Sequence, residues 1–360
     1  MSGSWQIKPL GEFIEIRNGR NQQGVLSINS KYPILGSGGN VMGFATDYIC
    51  EAGTTIIGRK GNICTPIYVN EKFWNVDTAF GFYPLNKNHI DKRFIYYLCL
   101  NIDFKSMNRG TTIPSLVKSE LLKINIPVPP ISDQQRIVTI LDKAFAAIDK
   151  AKANTEKNLQ NVRELFESYM YRLFESGEWE VKTVGEVCEE IFAGGDAPKN
   201  AFSLEPTSKF QIPIYANAVK DKGLYGYTDY ARVNKPCVTI AARGSGTGHT
   251  ELREGPFLPI VRLIVCLPDS NYITPEFLKY TLDNLVIERS GSAIPQLTVP
   301  MIKEYEIPIP SLQEQSQIIN RVEIIKSQKV QLEKIYAKRI ERYNELKMSI
   351  LQKAFSGGLV

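Results

Sequence analysis

The chain has 360 residues, 43% hydrophobic and 22% charged, with 43 Lys and Arg against 38 Asp and Glu for a net charge of +5. That composition supports two or three domains with apolar cores and excludes a disordered chain. No apolar run approaches the roughly eighteen residues a membrane helix needs, and Met1-Ser2-Gly3-Ser4-Trp5-Gln6 lacks the charged-then-apolar layout of a signal peptide, so a cytoplasmic protein is expected.

In chain order, residues 1–130 read as short strands and turns. Val-, Ile- and aromatic-rich runs at 54–57 and 80–83 stand between Gly, Pro and Asn clusters, and a short helix fits 92–100. After Pro127-Val128-Pro129-Pro130, neither Pro nor Gly occurs from 131 to 176. There Leu141, Phe145, Ile148, Lys152, Thr155, Leu159, Val162, Phe166, Tyr169 and Leu173 alternate spacings of four and three, which predicts a long helix over 131–177. Ser132 is placed to cap its start and Gly177 to stop it. Residues 178–310 return to strands, with runs at 238–241 and 263–267 and a short helix at 275–285. A second long helix is expected over 311–360, capped by Ser311 and stopped by Gly357, with its seam at Val322, Ile325, Lys329, Leu332, Tyr336, Arg339, Tyr343, Leu346 and Ile350. Two seams of equal length predict an antiparallel coiled coil of about 45 residues and roughly 65 Å.

The strand-rich part and its helix occur twice. Trp5, Lys8, Gly11, Glu12 and Glu15 recur as Trp179, Lys182, Gly185, Glu186 and Glu189 at an offset of 174. Tyr32-Pro33-Ile34 is echoed by Ile212-Pro213-Ile214, and Phe94 and Tyr97 by Phe277 and Tyr280. At an offset of 181, Ile113-Pro114-Ser115-Leu116 matches Ile294-Pro295-Gln296-Leu297. The same offset maps Ile126-Pro127-Val128-Pro129 onto Ile307-Pro308-Ile309-Pro310, and Asp133-Gln134 onto Glu314-Gln315. The fold class expected is therefore α+β, a tandem duplication of one α+β domain followed by a long helix.

Paired related domains on paired helices suit a symmetric or bipartite ligand. The layout resembles the specificity subunit of type I restriction–modification systems. The likeness is carried by Leu10-Gly11-Glu12 and Val184-Gly185-Glu186, the Ile-Pro-x-Leu segments, and the exits Ile126-Pro127-Val128-Pro129-Pro130-Ile131-Ser132-Asp133-Gln134-Gln135 and Ile307-Pro308-Ile309-Pro310-Ser311-Leu312-Gln313-Glu314-Gln315. The resemblance implies two target-recognition domains, each reading one half of a split double-stranded DNA sequence. It implies helices that set the gap, about one turn of DNA (~10 base pairs), and that dock two methyltransferase subunits. A restriction subunit can join them. S-adenosylmethionine would serve those partner subunits, with no cofactor in this chain.

Basic-and-small clusters are the candidate DNA contacts, because Gly lets backbone approach a phosphate while Arg, Asn and Gln suit base edges. The first domain offers Arg17, Arg20, Arg59, Lys60, Asn62, Arg109 and Thr111. The second offers Lys199, Asn200, Lys220, Lys222, Arg243, Ser245, Thr247, His249 and Arg289. Arg59 and Arg243 occupy roughly equivalent places after an apolar strand, as do Arg109 and Arg289. The competing account of any one cluster is a solvated loop, and of Tyr225, Tyr227 and Tyr230 a place in the core.

Enzyme chemistry is not expected. Six scattered cysteines without a Cys-x-x-Cys pair and only two histidines, His89 and His249, fit reduced thiols and no metal site. Arg243 to Gly248 lacks P-loop spacing, no Gly-x-Ser-x-Gly elbow is present, and Val128-Pro129-Pro130-Ile131 is no methyltransferase Asn-Pro-Pro-Tyr/Phe segment. The alternative is a duplicated coiled-coil scaffold that binds protein partners without DNA specificity.

Overall fold

A computed structural model describes residues 5–27, 29–175, 178–244, 246–285 and 296–359. The chain forms two compact units, Met1–Lys157 with Tyr336–Val360, and Asn158–Ile335. Each combines one strand-rich head with a stretch of both long helices.

The first unit runs β1 (Gln6–Pro9), β2 (Ile14–Asn18), β3 (Tyr32–Leu35), β4 (Val41–Ala45), β5 (Thr54–Gly58), β6 (Ile67–Val69), β7 (Trp74–Asn75) and β8 (Ala79–Pro84). Helix α1 (Lys92–Asn101), the single turn α2 (Lys118–Leu121), β9 (Asn125–Val128) and the long α3 (Ile131–Glu175) follow. The strands form three small sheets, ordered β2-β8-β5-β6, β4-β3-β7 and β1-β9, antiparallel except for the β3–β7 pair. Central β5 and β8 are buried throughout, which is why they read as unbroken runs rather than alternating ones. Edge strand β2 alternates instead, with Ile14 and Ile16 buried. Asp91 caps α1 by accepting from the Arg93 and Phe94 N–H groups at 2.8 and 2.9 Å. The helix buries Phe94, Ile95 and Leu98 against Ile14, Phe80 and Phe82, and Ile137, Leu141, Leu351 and Phe355 from the long helices complete that core. Emptying such a site, as in Phe94→Ala, costs about 3–5 kcal/mol.

The second unit repeats this plan with β10 (Glu180–Thr183), β11 (Cys188–Ala193), β12 (Ile212–Tyr215), β13 (Leu224–Thr228), β14 (Cys237–Ile240), β15 (Thr250–Arg253), β16 (Leu258–Pro259) and β17 (Ile264–Pro268). Helices α4 (Pro275–Asn284) and α5 (Val299–Glu304), strand β18 (Glu306–Ile309) and the long α6 (Leu312–Phe355) complete it. Its sheets are β11-β17-β14-β15, β13-β12-β16 and β10-β18, and β12–β16 is again the parallel pair. Strand order therefore matches head for head, which makes the α+β tandem duplication a structural fact. Met170 of α3 and Ile318 and Val322 of α6 close this core over Phe277 and Leu278.

The long helices pair antiparallel. In the first unit Lys347 bonds Asp149, and Lys152 Nζ lies 3.2 Å from Asn344 Oδ1, so one helix advances as the other retreats. In the second, Arg163 bonds Glu333 at 2.9 Å and Lys329 stacks 4.4 Å from the Phe166 ring. Every seam position expected on α3 is buried or half-buried. On α6 the expectation holds at Val322, Ile325, Lys329, Tyr336, Tyr343 and Ile350 and shifts by one residue at the other three positions. Glu333, Ile340 and Lys347 are half-buried, while Leu332, Arg339 and Leu346 are exposed. The shift lets the Lys347 stem lie over Phe145, its amine 5.0 Å from the ring.

The caps also differ between copies. Ser311 caps α6 as expected: its N–H and hydroxyl donate to the Glu314 carboxylate at 2.9 and 2.7 Å, which holds that carboxyl below its usual pKa. Ser132 is not a cap. Helix α3 already begins at Ile131, and the Asp133 and Gln134 N–H groups bond the Pro130 carbonyl at 2.9 and 3.0 Å. Gly357, at φ 81, ends α6, and the Gly358 N–H donates to Lys353. Gly177 lies outside the described residues.

One residue per head joins helix to sheet. Gln134 is fully buried; its Nε2 donates to the carbonyls of His89 at 3.0 Å and Pro129 at 2.8 Å, and its Oε1 accepts from the Asp91 N–H at 2.9 Å. Gln315 does the same with Tyr272 at 2.7 Å, Pro310 at 2.9 Å and the Thr274 N–H at 2.9 Å. Gln134→Leu keeps the volume and strands three polar groups, so it should destabilise the chain by about 3 kcal/mol or more in chemical denaturation. A loss of under about 1 kcal/mol would show that water or backbone movement replaces the clamp.

Candidate nucleic-acid interface

In the first head, four loops at one end of the sheets are locked together by backbone hydrogen bonds. The Gly19 N–H bonds Ala79 at 3.0 Å and the Arg20 N–H bonds Asn75 at 2.9 Å. The Thr78 carbonyl accepts from both Arg59 and Lys60, at 2.8 and 3.0 Å, and Lys60 bridges Ser115. The Arg109 N–H bonds the Ser115 carbonyl at 2.9 Å, and Asn108 Oδ1 accepts from Gly110 and Ser115 at 2.9 and 2.8 Å. This rim carries Arg20, Arg59, Lys60, Asn62, Arg109 and Thr111, all exposed. Their side chains are not equally available. Arg109 is paired with Glu120 at 3.0 Å, a hydrogen bond that raises its pKa, and Arg59 Nη1 reaches the Asp77 carbonyl at 3.4 Å. Arg17 stays on β2, bonded to Glu15 at 3.0 Å and lying against Tyr83, so it is not among the rim loops.

The second head builds the corresponding rim. The Gly194 N–H bonds Leu263 at 2.8 Å, the Val261 N–H bonds Gly195 at 2.7 Å, and the Ile260 N–H bonds Tyr215 at 2.9 Å. Asn217 ties two loops together: its Nδ2 donates to the Arg243 carbonyl at 2.7 Å, and its Oδ1 accepts from the Ala242 and Arg243 N–H groups. Gly246 packs so closely on Val219 that a Cβ there would collide with it. Lys220, Lys222 and Arg243 are therefore brought together and exposed. Arg243 Nη2 donates to Gln296 Oε1 at 3.0 Å.

Other expected residues have structural employment. Thr247 is buried, its hydroxyl donating to the Gly244 carbonyl at 2.6 Å, and His249 is held by Glu251 at 3.1 Å. Lys199 and Asn200 are exposed in a segment whose flanking Ala197 and Phe202 pack on the cluster of Ile214, Leu258 and Ile260. Tyr225 and Tyr230 are exposed and Tyr227 half-buried, so these tyrosines do not form the core. Ser245 and Arg289 lie outside the described residues.

The registers refine one correspondence. Ile57 pairs with Phe80 as Ile240 pairs with Ile264, and Lys60 bridges Ser115 as Arg243 bridges Gln296. The counterpart of Arg243 is thus Lys60, and Arg59 corresponds to Ala242.

Three rim residues escaped the sequence. Asn217 is one. Arg253 is buried and stacks 3.7 Å from the Tyr215 ring; its guanidinium bonds Thr239 and the Lys222 carbonyl, and burial lowers its pKa. It anchors a turn in which Asp221 and Lys222 sit at φ 50 and 52. Arg262 is the third, following Val261 in a second left-handed pair at φ 49 and 61. Such conformations cost on the order of 1–3 kcal/mol each for non-glycine residues, and none is found in the first head among the described residues. A basic residue between Ile260 and Leu263 gives no sequence signal of this.

The chemistry available is hydrogen bonding by exposed guanidinium, ammonium and amide groups on rigid loops. No group of three or more His, Cys, Asp or Glu able to hold a metal occurs among the described residues. No described helix is long and apolar enough to cross a membrane.

Comparison with known proteins gives this architecture a family. Residues 3–160 and 176–342 each match the type I restriction modification DNA specificity domain. A Mycoplasma pneumoniae protein named as a type I specificity subunit is 30% identical over 70% of this chain and 77% of its own length. The EcoDI specificity subunit of Escherichia coli is 23% identical over 99% of this chain and 88% of its own. The HsdS subunit from Thermoanaerobacter tengcongensis superposes with a TM-score of 0.65 at 18% identity, covering 99% and 98% of the two chains. A chain from a structure of type I R-M complex assembly gives 0.78 with the same coverage and identity. The chain belongs to the family of type I restriction–modification specificity subunits.

All six cysteines are free thiols. Burial pushes Cys50 and Cys237 up to about 12, whereas Cys64 is exposed beside the 58–62 loop. A maleimide should therefore label one thiol rapidly in the native chain, and Cys64→Ser should remove that phase. Rapid labelling of Cys50, Cys99, Cys237 or Cys266 would contradict the packing of these heads.

Proposed function

We propose that the chain supplies DNA sequence specificity to a type I restriction–modification enzyme. Each head approaches the major groove of one half of a bipartite duplex site, and the paired helices set the gap and hold two methyltransferase subunits. Restriction subunits can join that assembly. Adenine extrusion and methyl transfer from S-adenosylmethionine belong to the methyltransferase partners, consistent with specificity subunits being the non-catalytic members of type I systems. The observation that carries the proposal is the same rim of interlocked loops in both heads, each exposing Arg and Lys side chains.

The division of labour follows from the chemistry. Backbone N–H groups and lysines fix phosphates, which positions a head without reading sequence. Arg, Asn and Gln side chains carry the donor and acceptor patterns that distinguish base edges in the major groove. Rigid loops lower the ordering cost of such contacts.

The complex of this chain with its methyltransferase subunits should bind one specific duplex with affinity falling steeply as salt rises, the slope growing by about 0.9 per phosphate neutralised. Binding without sequence preference across a duplex library would overturn the proposal and favour a protein-binding scaffold. Arg59→Glu should weaken recognition of one half-site and Arg243→Glu the other, measured on duplexes randomised in one half at a time; equal losses at both halves would count against the one-head-per-half assignment.

One heptad inserted in both long helices adds about 10 Å. The preferred gap should widen by about three base pairs at 3.4 Å per pair. A gap indifferent to that insertion would show that the helices do not set it.

A further inference from the structure

The shared strand registers bring three rim positions of the two heads into correspondence. Gly19 bonds Ala79 as Gly194 bonds Leu263, which aligns Thr78 with Arg262 one residue earlier. The bridges Lys60 to Ser115 and Arg243 to Gln296 align the other two. Lys60, Thr78 and Ser115 are contiguous in the first head, since the Lys60 N–H bonds the Thr78 carbonyl at 3.0 Å and Lys60 bridges Ser115. Arg243, Arg262 and Gln296 together line a cavity of about 180 Å³ in the second.

We infer that this triplet is the base-discriminating element of each head, and that Arg243 and Arg262 read guanine edges in the half-site of the second head. The inference rests on the DNA-reading function proposed above and names the residues that perform it.

Three observations converge on it. First, the three positions hold corresponding places in the strand registers of the two heads while the hydrogen-bonding group changes at every one of them, from Lys, Thr and Ser to Arg, Arg and Gln. Two heads that read different bases from one scaffold require that combination. Second, Arg262 stands on a strained turn. Val261 is β-branched, more than half exposed and held at φ 49, a region such residues rarely enter. Its N–H bond to Gly195 and the burial of Ile260 and Leu263 on either side hold the turn in place. The first head has Asp77 and Thr78 there without the left-handed pair, so the strain belongs to this half-site's side chain and not to the fold.

Third, Arg243 and Arg262 line one cavity and neither guanidinium is paired with a carboxylate among the described residues. The described side-chain partner of Arg243 is the neutral Gln296 amide at 3.0 Å, which orients the guanidinium without cancelling its charge. Neighbouring fork-shaped donors suit the paired O6 and N7 acceptors of guanine, the base edge most often read by arginine.

The test uses the full chain assembled with its methyltransferase subunits, with methylated products sequenced from a duplex library randomised in both halves. Arg262→Ala and Arg243→Ala should each reduce guanine discrimination at a position of one half-site by tenfold or more, and leave the other half unchanged as an internal control for folding. Arg262→Lys should lose the same discrimination although it keeps the charge, because an ammonium lacks the fork. The exchange R243K/R262T/Q296S should move the preference of that half alone. Variants that lower total methylation but keep every base preference would reduce these residues to phosphate contacts and overturn the triplet, with the DNA-reading function intact. A wild-type complex without base preference would overturn both.

Discussion

In each head one buried glutamine amide ties the long helix to the segments before it. Gln134 and Gln315 are the residues where the exit strand, the first turn of the long helix and the cap of the short helix meet. The task needs two donors and one acceptor on one short rigid group, and of the side chains only Asn and Gln offer that set. A carboxylate of the same length could not donate, and an apolar side chain would strand two carbonyls and an amide. Because all three partners are backbone groups, the clamp fixes the direction of the helix axis without regard to surrounding side chains. Asp91 and Thr274 present their own N–H to the clamp while their side chains cap α1 and α4. Helix, cap and sheet therefore order as one unit in each copy.

That constraint explains how a head closes its core. A helix launched in a fixed direction delivers Ile137 and Leu141 onto α1 in the first unit, and Ile318 and Val322 onto α4 in the second. The end of the opposite long helix fills what remains, with the Phe355 ring 5.3 Å from Phe94 and Met170 in the second core. The pairing of the helices is thus written into the cores, and the seam between them tolerates polar residues. Thr155 is buried and satisfied by the Ala151 carbonyl at 2.9 Å, while Lys152, Lys329 and Lys347 lay their stems along the partner helix and keep their amines at its edge.

The duplication was legible because both copies answer the same packing demands with the same residue types, as at Gln134 and Gln315 or in the proline-bearing strands β9 and β18. What sequence could not resolve came down to choices of a single residue. Ser132 looked like a cap by analogy with Ser311, yet Pro130 occupies the corresponding place and Ile131 already turns into the helix. On α6, two adjacent stripes satisfied the four–three spacing, and aromatic partners on α3 selected the one containing Lys347 rather than Leu346. The basic clusters at Arg20, Arg59, Lys60, Arg109 and Arg243 fall on loops that hydrogen bonds tie together, whereas β2 keeps Arg17 against Glu15 and Tyr83. Loop register decided that Lys60, rather than Arg59, faces the place of Arg243. Asn217, Arg253 and Arg262 were invisible because their importance lies in backbone geometry, which leaves no compositional trace.

The charge balance bears on how such rims can work. Residues 132–176 carry seven acidic and seven basic residues and 311–357 carry five and nine, leaving 26 acidic and 27 basic for everything else. The heads are close to neutral, and some of their cations are spent locally, as Arg109 is on Glu120 and Lys235 on Glu189. Long-range attraction to a polyanion, which depends on net charge and is screened within about 8 Å at physiological salt, is therefore weak for these heads. Short-range hydrogen bonding from exposed, unneutralised groups on rigid loops is what remains, and it depends on geometry rather than on field. For the DNA-reading role proposed above, that arrangement favours discrimination over grip. The excess of positive charge sits instead on α6, away from the rim loops in sequence, so the loops can change composition while the helix charge and the clamped cores stay as they are.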